Sequence, residues 1–381
     1  MIPWIARYLE SLRARRAVLP TLYFALLLGI TAFFIGRWPV VAYDTDLWYH
    51  LAGGRYIVQN GALPSDSYFS FLEPVRPFTD YYWLFQVLVY AVESVGGYLG
   101  LVVFRALLVL GSVFLAGRLL LAGRTGSLAN WLAAGVLTLA VLTLTQRQLV
   151  RPYLASYLIL LAVLNLRELS PRRIALPIVL AVLLSNLHGV EYPVLIAICG
   201  AYGAEWVLAP WTGPGPRPDR RVLAAAIAPV LGVLATPHFV WLLPVAFRSI
   251  EYAHLYVGEL HKLSAADLLD LRVENLAALE NTSLVLILAC TALAVAALAV
   301  SRRLRLAHIL LAAAGLFLLA RSARFIQECV ILQLPLLRAA KEHTRSMQWR
   351  VLRFPAIKYE GDDEPGDHRR GRPHLRLRQR Q

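Results

Sequence analysis

Ten stretches of the chain stay apolar long enough to cross a membrane, or nearly so: 17–36, 98–118, 128–146, 153–168, 174–188, 190–210, 222–236, 283–301, 306–320 and 325–338. A spanning helix needs about 20 apolar residues, so the shorter stretches are expected to borrow flanking residues or pack inside a bundle. The pattern predicts an all-α, polytopic membrane protein with about ten transmembrane helices. The first stretch follows Arg7, Arg13, Arg15 and Arg16, as a secretory leader would. Its length matches a spanning helix better than a signal core of roughly 7 to 15 residues, so it is read as an uncleaved first helix.

The segment DYYWLFQVLVYAVESVGGYLG, residues 80–100, has a short apolar core opened by three aromatics. Charge parity decides how it sits. If residues 80–97 lie along the interface, the N-terminal arginines fall on one side with Arg118/Arg124, Arg167/Arg172/Arg173, Arg217/Arg220/Arg221 and Arg302/Arg303/Arg305. Basic loops face the cytoplasm, so this segment is assigned as an interfacial helix with Tyr and Trp at headgroup level. Both termini are then cytoplasmic, in a cytoplasmic (inner) membrane, and two long segments face outward, 37–97 and 237–281. Residues 1–340 form one transmembrane domain. Residues 341–381 are expected to be a basic, disordered cytoplasmic tail able to touch anionic lipid.

Composition supports the membrane reading. The 381 residues are 58% hydrophobic and only 16% charged, where a soluble domain carries about 25% charged residues. Mean hydropathy is +0.56. The net charge of +14 comes from short basic runs between apolar stretches, which is not the clustered footprint of a nucleic-acid binder. Three cysteines, Cys199, Cys290 and Cys329, lie in apolar runs without metal or disulfide spacing.

Polar side chains are scarce enough that their clusters stand out. In DTDLWYHLAGGRYIVQNG a helix is predicted over 46–59, ended by Asn60-Gly61 as a left-handed cap. Asp46 and His50 would share one face, and Leu47, Leu51, Gly54 and Val58 another, turned to the membrane. Asp44, Asp46 and His50 make an oxygen and nitrogen donor set for a divalent cation, Mg²⁺ or Mn²⁺. A simpler reading is that Asp44 or Thr45 caps the helix and Asp66 makes a turn in PSDS.

Arg147, Arg151 and Tyr153, in TQRQLVRPYLAS, fall at an outer boundary against the positive-inside trend. Guanidinium groups there suit a phosphate, or simply reach ordinary headgroups. SNLHGVEYP places His188 and Glu191 in a polar break between apolar runs, facing either a cavity or the membrane surface. LARSARFIQECV adds Arg321 and Arg324, a second phosphate clamp or an ion pair of Arg324 with Glu328. No Walker loop, Rossmann glycine pattern, HExxH or nucleophile elbow occurs in a usable context.

The order of these strings carries a resemblance: a basic N-terminus and one helix, DTDLWYH, GRYIVQNGALPSDSYFS, YWLFQVLVY, RPYLAS, NLHG and RFI. Across residues 10–338 the chain resembles bacterial polytopic glycosyltransferases of the C-type (GT-C) superfamily, distant relatives of protein mannosyltransferases and lipid A aminoarabinose transferases. The resemblance implies a transferase that takes a sugar from a polyprenyl-phosphate donor at the outer face of the cytoplasmic membrane. It implies catalytic roles for Asp44 and Asp46, with His50 and Asp66 supporting. Arg147, Arg151 and Arg324 would bind the lipid phosphate, and His188 would line the cavity. Two other readings use the same residues without chemistry: a transporter or flippase of a lipid-linked or anionic solute, and a non-catalytic membrane protein that kept the fold.

Overall fold

The computed structural model describes residues 21–37, 45–66, 77–122, 127–146, 149–212, 219–248, 262–264, 266 and 276–351. Among these the chain is all-α, apart from one isolated bridge between Asp66 and Pro77. In order the helices are α1 (Thr21–Arg37), α2 (Thr45–Asn60), α3 (Trp83–Leu121), α4 (Ser127–Leu144), α5 (Pro152–Leu169) and α6 (Ala175–Leu187). They continue with α7 (Tyr192–Thr212), α8 (Arg220–Val233), the short α9 (Val245–Arg248), α10 (Leu276–Val300), α11 (Leu306–Arg321) and α12 (Ile326–Val351).

Each apolar stretch of the sequence coincides with a helix. Four helical segments are long and apolar enough to cross a membrane by themselves: Trp83–Leu121, Pro152–Leu169, Gly189–Ala209 and Leu279–Val300. They mark a membrane protein. The apolar parts of α1, α4, α6 and α11 are shorter.

Helix α3 is two helices joined at a break. Gly97 has φ 54° and ψ −149°, which only glycine adopts without strain. A Cβ on Gly100 would lie 2.8 Å from the Val92 carbonyl oxygen, whereas residues eight apart in a straight helix are separated by about 12 Å. The chain therefore turns back sharply between 83–96 and 98–121. Val95 and Leu99 stand exposed at the turn, and the Trp48 ring meets Tyr98 edge-on at 6.4 Å.

Helix α2 packs on the first half of α3. Gly61, at φ +63°, ends it, and its N–H reaches the Ile57 carbonyl. Leu47 and Gly54, which the pattern turns to the membrane, pack inside the protein instead. Leu47, His50, Gly53 and Gly54 face inward, while Val58 is exposed. The glycine pair is the cause: with no side chains at 53 and 54 the helices approach until a Cβ on Gly54 would sit 2.1 Å from the Gln86 carbonyl oxygen. Backbone proximity, rather than the larger apolar residues, sets the face.

Buried polar groups tie the other helices together. Arg105 is fully buried in α3 and donates from Nη2 to the Ile35 carbonyl at 2.7 Å. It thus meets the C-terminal end of α1, where carbonyls lack helical partners and the helix dipole is negative. Asn165 of α5 donates to the Leu115 carbonyl of α3 at 2.9 Å. At one end of the bundle Glu168, its side chain 6% exposed, accepts from Arg305, Arg338 and His308, each at 3.1 Å, and from the Tyr202 hydroxyl at 2.8 Å. That single carboxylate joins α5, α7, α11 and α12.

The domain boundary read at residue 340 falls inside a helix, since α12 runs on to Val351. Lys341 is buried and donates to the Leu120 and Ala122 carbonyls at 3.0 and 3.2 Å, satisfying the C-terminal end of α3. Residues 352–381 lie outside the described residues.

Candidate functional site

The polar clusters singled out in the sequence come together at the end of the bundle opposite Glu168. Arg151 is the residue before Pro152, which opens α5 with the ring at the first helical position. Its Nη1 lies 3.1 Å from Asp46 Oδ2 in the first turn of α2. The aspartate side chain is 51% exposed and the arginine 20%, so the pair sits at an accessible edge.

One turn further along α2, His50 is buried, with Tyr82 and Phe85 each edge-on at 5.3 Å. Burial first and the Arg151 charge second push its pKa down to about 3, so the imidazole is neutral at ordinary pH. Its Nδ1 has no hydrogen-bond partner.

Tyr82 carries the arrangement across to α6. Its ring stacks on His188 at 6.4 Å, and its hydroxyl donates to that of Tyr81 at 2.7 Å. The Tyr81 carbonyl accepts from the Gly189 N–H at 2.7 Å, and a Cβ on Gly189 would lie 3.1 Å from that oxygen. The glycine after His188 thus lets the two loops meet. His188 is buried and hydrogen-bonds Ser156 Oγ through Nδ1 at 2.8 Å. Its Nδ1 lies 3.6 Å from Glu191 Oε2, too far for a hydrogen bond. Arg324 lies in the short 3-10 turn Ala323–Phe325 before α12, its N–H held by Ser322 Oγ at 3.2 Å.

Asp80 opens that loop and is 1% exposed. Burial pushes its pKa up to about 6, against the Tyr82 N–H that favours the charged form. Oδ1 accepts from Gln86 Nε2 at 3.2 Å, while Asp80 Oδ2 and Gln86 Oε1 have no partner. His238 binds the Asp80 carbonyl at 2.8 Å, and Trp83 Nε1 donates to Asn186 Oδ1 at 2.9 Å.

Of the residues picked from sequence, Asp46 and Arg151 pair with each other, and His50 and His188 both meet the Tyr82 ring. Glu191 and Tyr153 are buried beside them in chain position, with the Tyr153 ring stacked on Tyr157 at 5.6 Å. Asp66 is exposed, in the bridge to Pro77. Asp44 and Arg147 lie outside the described residues. Asp80, Tyr81, Tyr82, Gln86 and Ser156 were not picked, although two tyrosines opening a helix after an aspartate were a usable signal.

The divalent-cation set expected from sequence includes Asp44, which lies outside the described residues. Among the described residues no three His, Cys, Asp or Glu side chains converge on a metal position. Asp46 already has a guanidinium for its partner, whose charge would repel a cation. No family model, curated protein or solved structure matches the chain.

Proposed function

We propose that this protein is a multi-pass membrane glycosyltransferase of the GT-C type, with about ten crossings, which moves a sugar from a polyprenyl-phosphate donor to an acceptor hydroxyl at the outer face of the cytoplasmic membrane. One observation carries the reading: an accessible carboxylate, Asp46, paired with Arg151 at 3.1 Å. General bases and phosphate-binding arginines are what such a transfer needs, since the leaving group is a phosphate and the nucleophile a hydroxyl. The exposed apolar turn at Val95 and Leu99 supports a surface lying in the membrane interface, where a lipid-borne donor would arrive.

In this proposal the donor phosphate takes Arg151 from Asp46, because a guanidinium binds phosphate through two parallel hydrogen bonds. The released carboxylate removes the proton of the acceptor hydroxyl as its oxygen bonds to the anomeric carbon. The bond from that carbon to the phosphate oxygen breaks, and its electron pair leaves with the polyprenyl phosphate, held by Arg151 and Arg324. His50 and His188 form the buried wall of the site with Tyr82. Direct displacement inverts the anomeric configuration.

The test is transfer of radiolabelled sugar from a polyprenyl-phosphate donor by purified protein in lipid vesicles, with Asp46→Asn as control. Sugar release that needs Asp46 supports the transferase. Donor movement between leaflets without sugar release would identify a flippase instead.

A further inference from the structure

The opposite, basic end of the bundle holds cavities of its own. One, of about 470 Å³, opens beside the 170–174 turn and is bordered by Arg172, Arg173 and Asp219. A smaller one of about 70 Å³ shares Pro171 and Val222 with it and reaches inward to Arg167 and Arg305.

Arg167 is the unusual member. It is only 4% exposed, and its Nη2 donates to the Arg173 carbonyl at 2.7 Å. Among the described residues its Nε and Nη1 have no hydrogen-bond partner. A buried guanidinium with unmet donors calls for an acceptor, and because the group is a fixed cation the best acceptor is an anion. The neighbouring carboxylates are committed elsewhere. Glu205 lies 2.6 Å from Arg305, and Asp219 lies 3.3 Å from Arg172 while accepting from the Arg221 N–H. Arg173, Arg220 and Arg221 add exposed positive charge at the rim. Water would satisfy the donors of Arg167 but not its charge, whereas a phosphate satisfies both. The position, where the apolar α5 ends, is the depth at which headgroups lie.

We propose that this end of the bundle binds a phosphate group, between the 170–174 turn and the start of α8, with Arg167 beneath it and Arg172 and Arg173 at its mouth. The group belongs either to an anionic phospholipid or to free phosphate. The site is far from Asp46 and stands whether or not the chain is a transferase.

Delipidated full-length protein in detergent is titrated with phosphatidylglycerol, phosphatidylcholine and inorganic phosphate. Bound species are counted by native mass spectrometry. Phosphatidylglycerol is expected to be retained over phosphatidylcholine, whose choline the arginines repel. Retention should fall about ten-fold or more in Arg172→Gln/Arg173→Gln, whose changes are exposed, and in Arg167→Lys, which keeps the charge but loses the fork. Competition by inorganic phosphate shows that the phosphate alone is recognised, and lipid binding without competition assigns the site to a headgroup. Phosphate bound without lipid assigns it to the free ion. If neither probe binds, if the two lipids bind equally, or if folded Arg172→Gln/Arg173→Gln binds as wild type does, the proposal fails and water is the partner of Arg167.

Discussion

Asp46 of α2 and Arg151, the residue before α5, lie 3.1 Å apart although α3 and α4 separate them in the chain. As a contact between partly exposed groups the pair contributes about 1 kcal/mol or less to stability. As a resting latch between base and phosphate clamp it would contribute far more to rate. Asp46→Asn and Arg151→Gln are each expected to lower transfer by about 10²- to 10⁴-fold while leaving the thermal midpoint nearly unchanged. The double variant should fall little further, because the two act in one step. Rates that multiply in the double variant would show that the residues act separately.

The same pair bears on metal dependence. In the proposed step Arg151 and Arg324 supply the positive charge that holds the leaving phosphate, so incubation with EDTA is expected to leave transfer unchanged. Activity lost on chelation and restored by either ion would return Asp44 and Asp46 to the role of ligands.

Much of this arrangement was legible in the sequence, for physical reasons. Asn60-Gly61 marks a helix end by backbone conformation alone, and Gly96-Gly97 lets a helix break, so α2 and the turn inside α3 could be read locally. The isolated carboxylates, imidazoles and guanidiniums stood out because apolar surroundings make them costly. What could not be read was which partners they meet. The link from Tyr81 to Gly189 joins distant parts of the chain, and the buried face of α2 depends on how closely Gly54 approaches Gln86. The Glu168 cluster likewise draws its members from four helices, none with a local pattern.

Asp80 offers a test by pH. Its pKa rises from 3.8 in the unfolded chain to about 6 in the folded one. Between those values the folded state holds the proton more strongly, so this group's contribution to stability is fully present below pH 3.8 and is lost as pH rises through about 6. A shift of this size is on the order of 3 kcal/mol. Asp80→Asn keeps the Oδ1 acceptor and adds a donor that the Gln86 Oε1 lacks. The variant should therefore match wild type in acid and become the more stable of the two as pH rises to neutrality. His50 titrates identically in both and drops out of the difference. Melting midpoints that run parallel from acid to neutral pH would show that Asp80 does not carry this proton.

The two glycines of α2 separate packing from local helix preference. At Gly53 a new Cβ would meet the Gln86 side-chain oxygen at 2.1 Å, and that amide can rotate away. At Gly54 the obstacle, also at 2.1 Å, is the Gln86 backbone carbonyl, which cannot move without displacing α3. Alanine favours a helix over glycine by about 1 kcal/mol, which offsets part of the cost at Gly53. Overpacking against backbone costs about 1–3 kcal/mol or more. Gly54→Ala is accordingly expected to lower the thermal midpoint clearly more than Gly53→Ala. Because α2 carries both Asp46 and His50, Gly54→Ala should also reduce transfer by pushing them away from Arg151 and Tyr82. Thermal scans of both variants in the same detergent, paired with the transfer assay, check both consequences. Equal midpoints would mean that α2 does not rest on Gln86 as closely as the glycines allow.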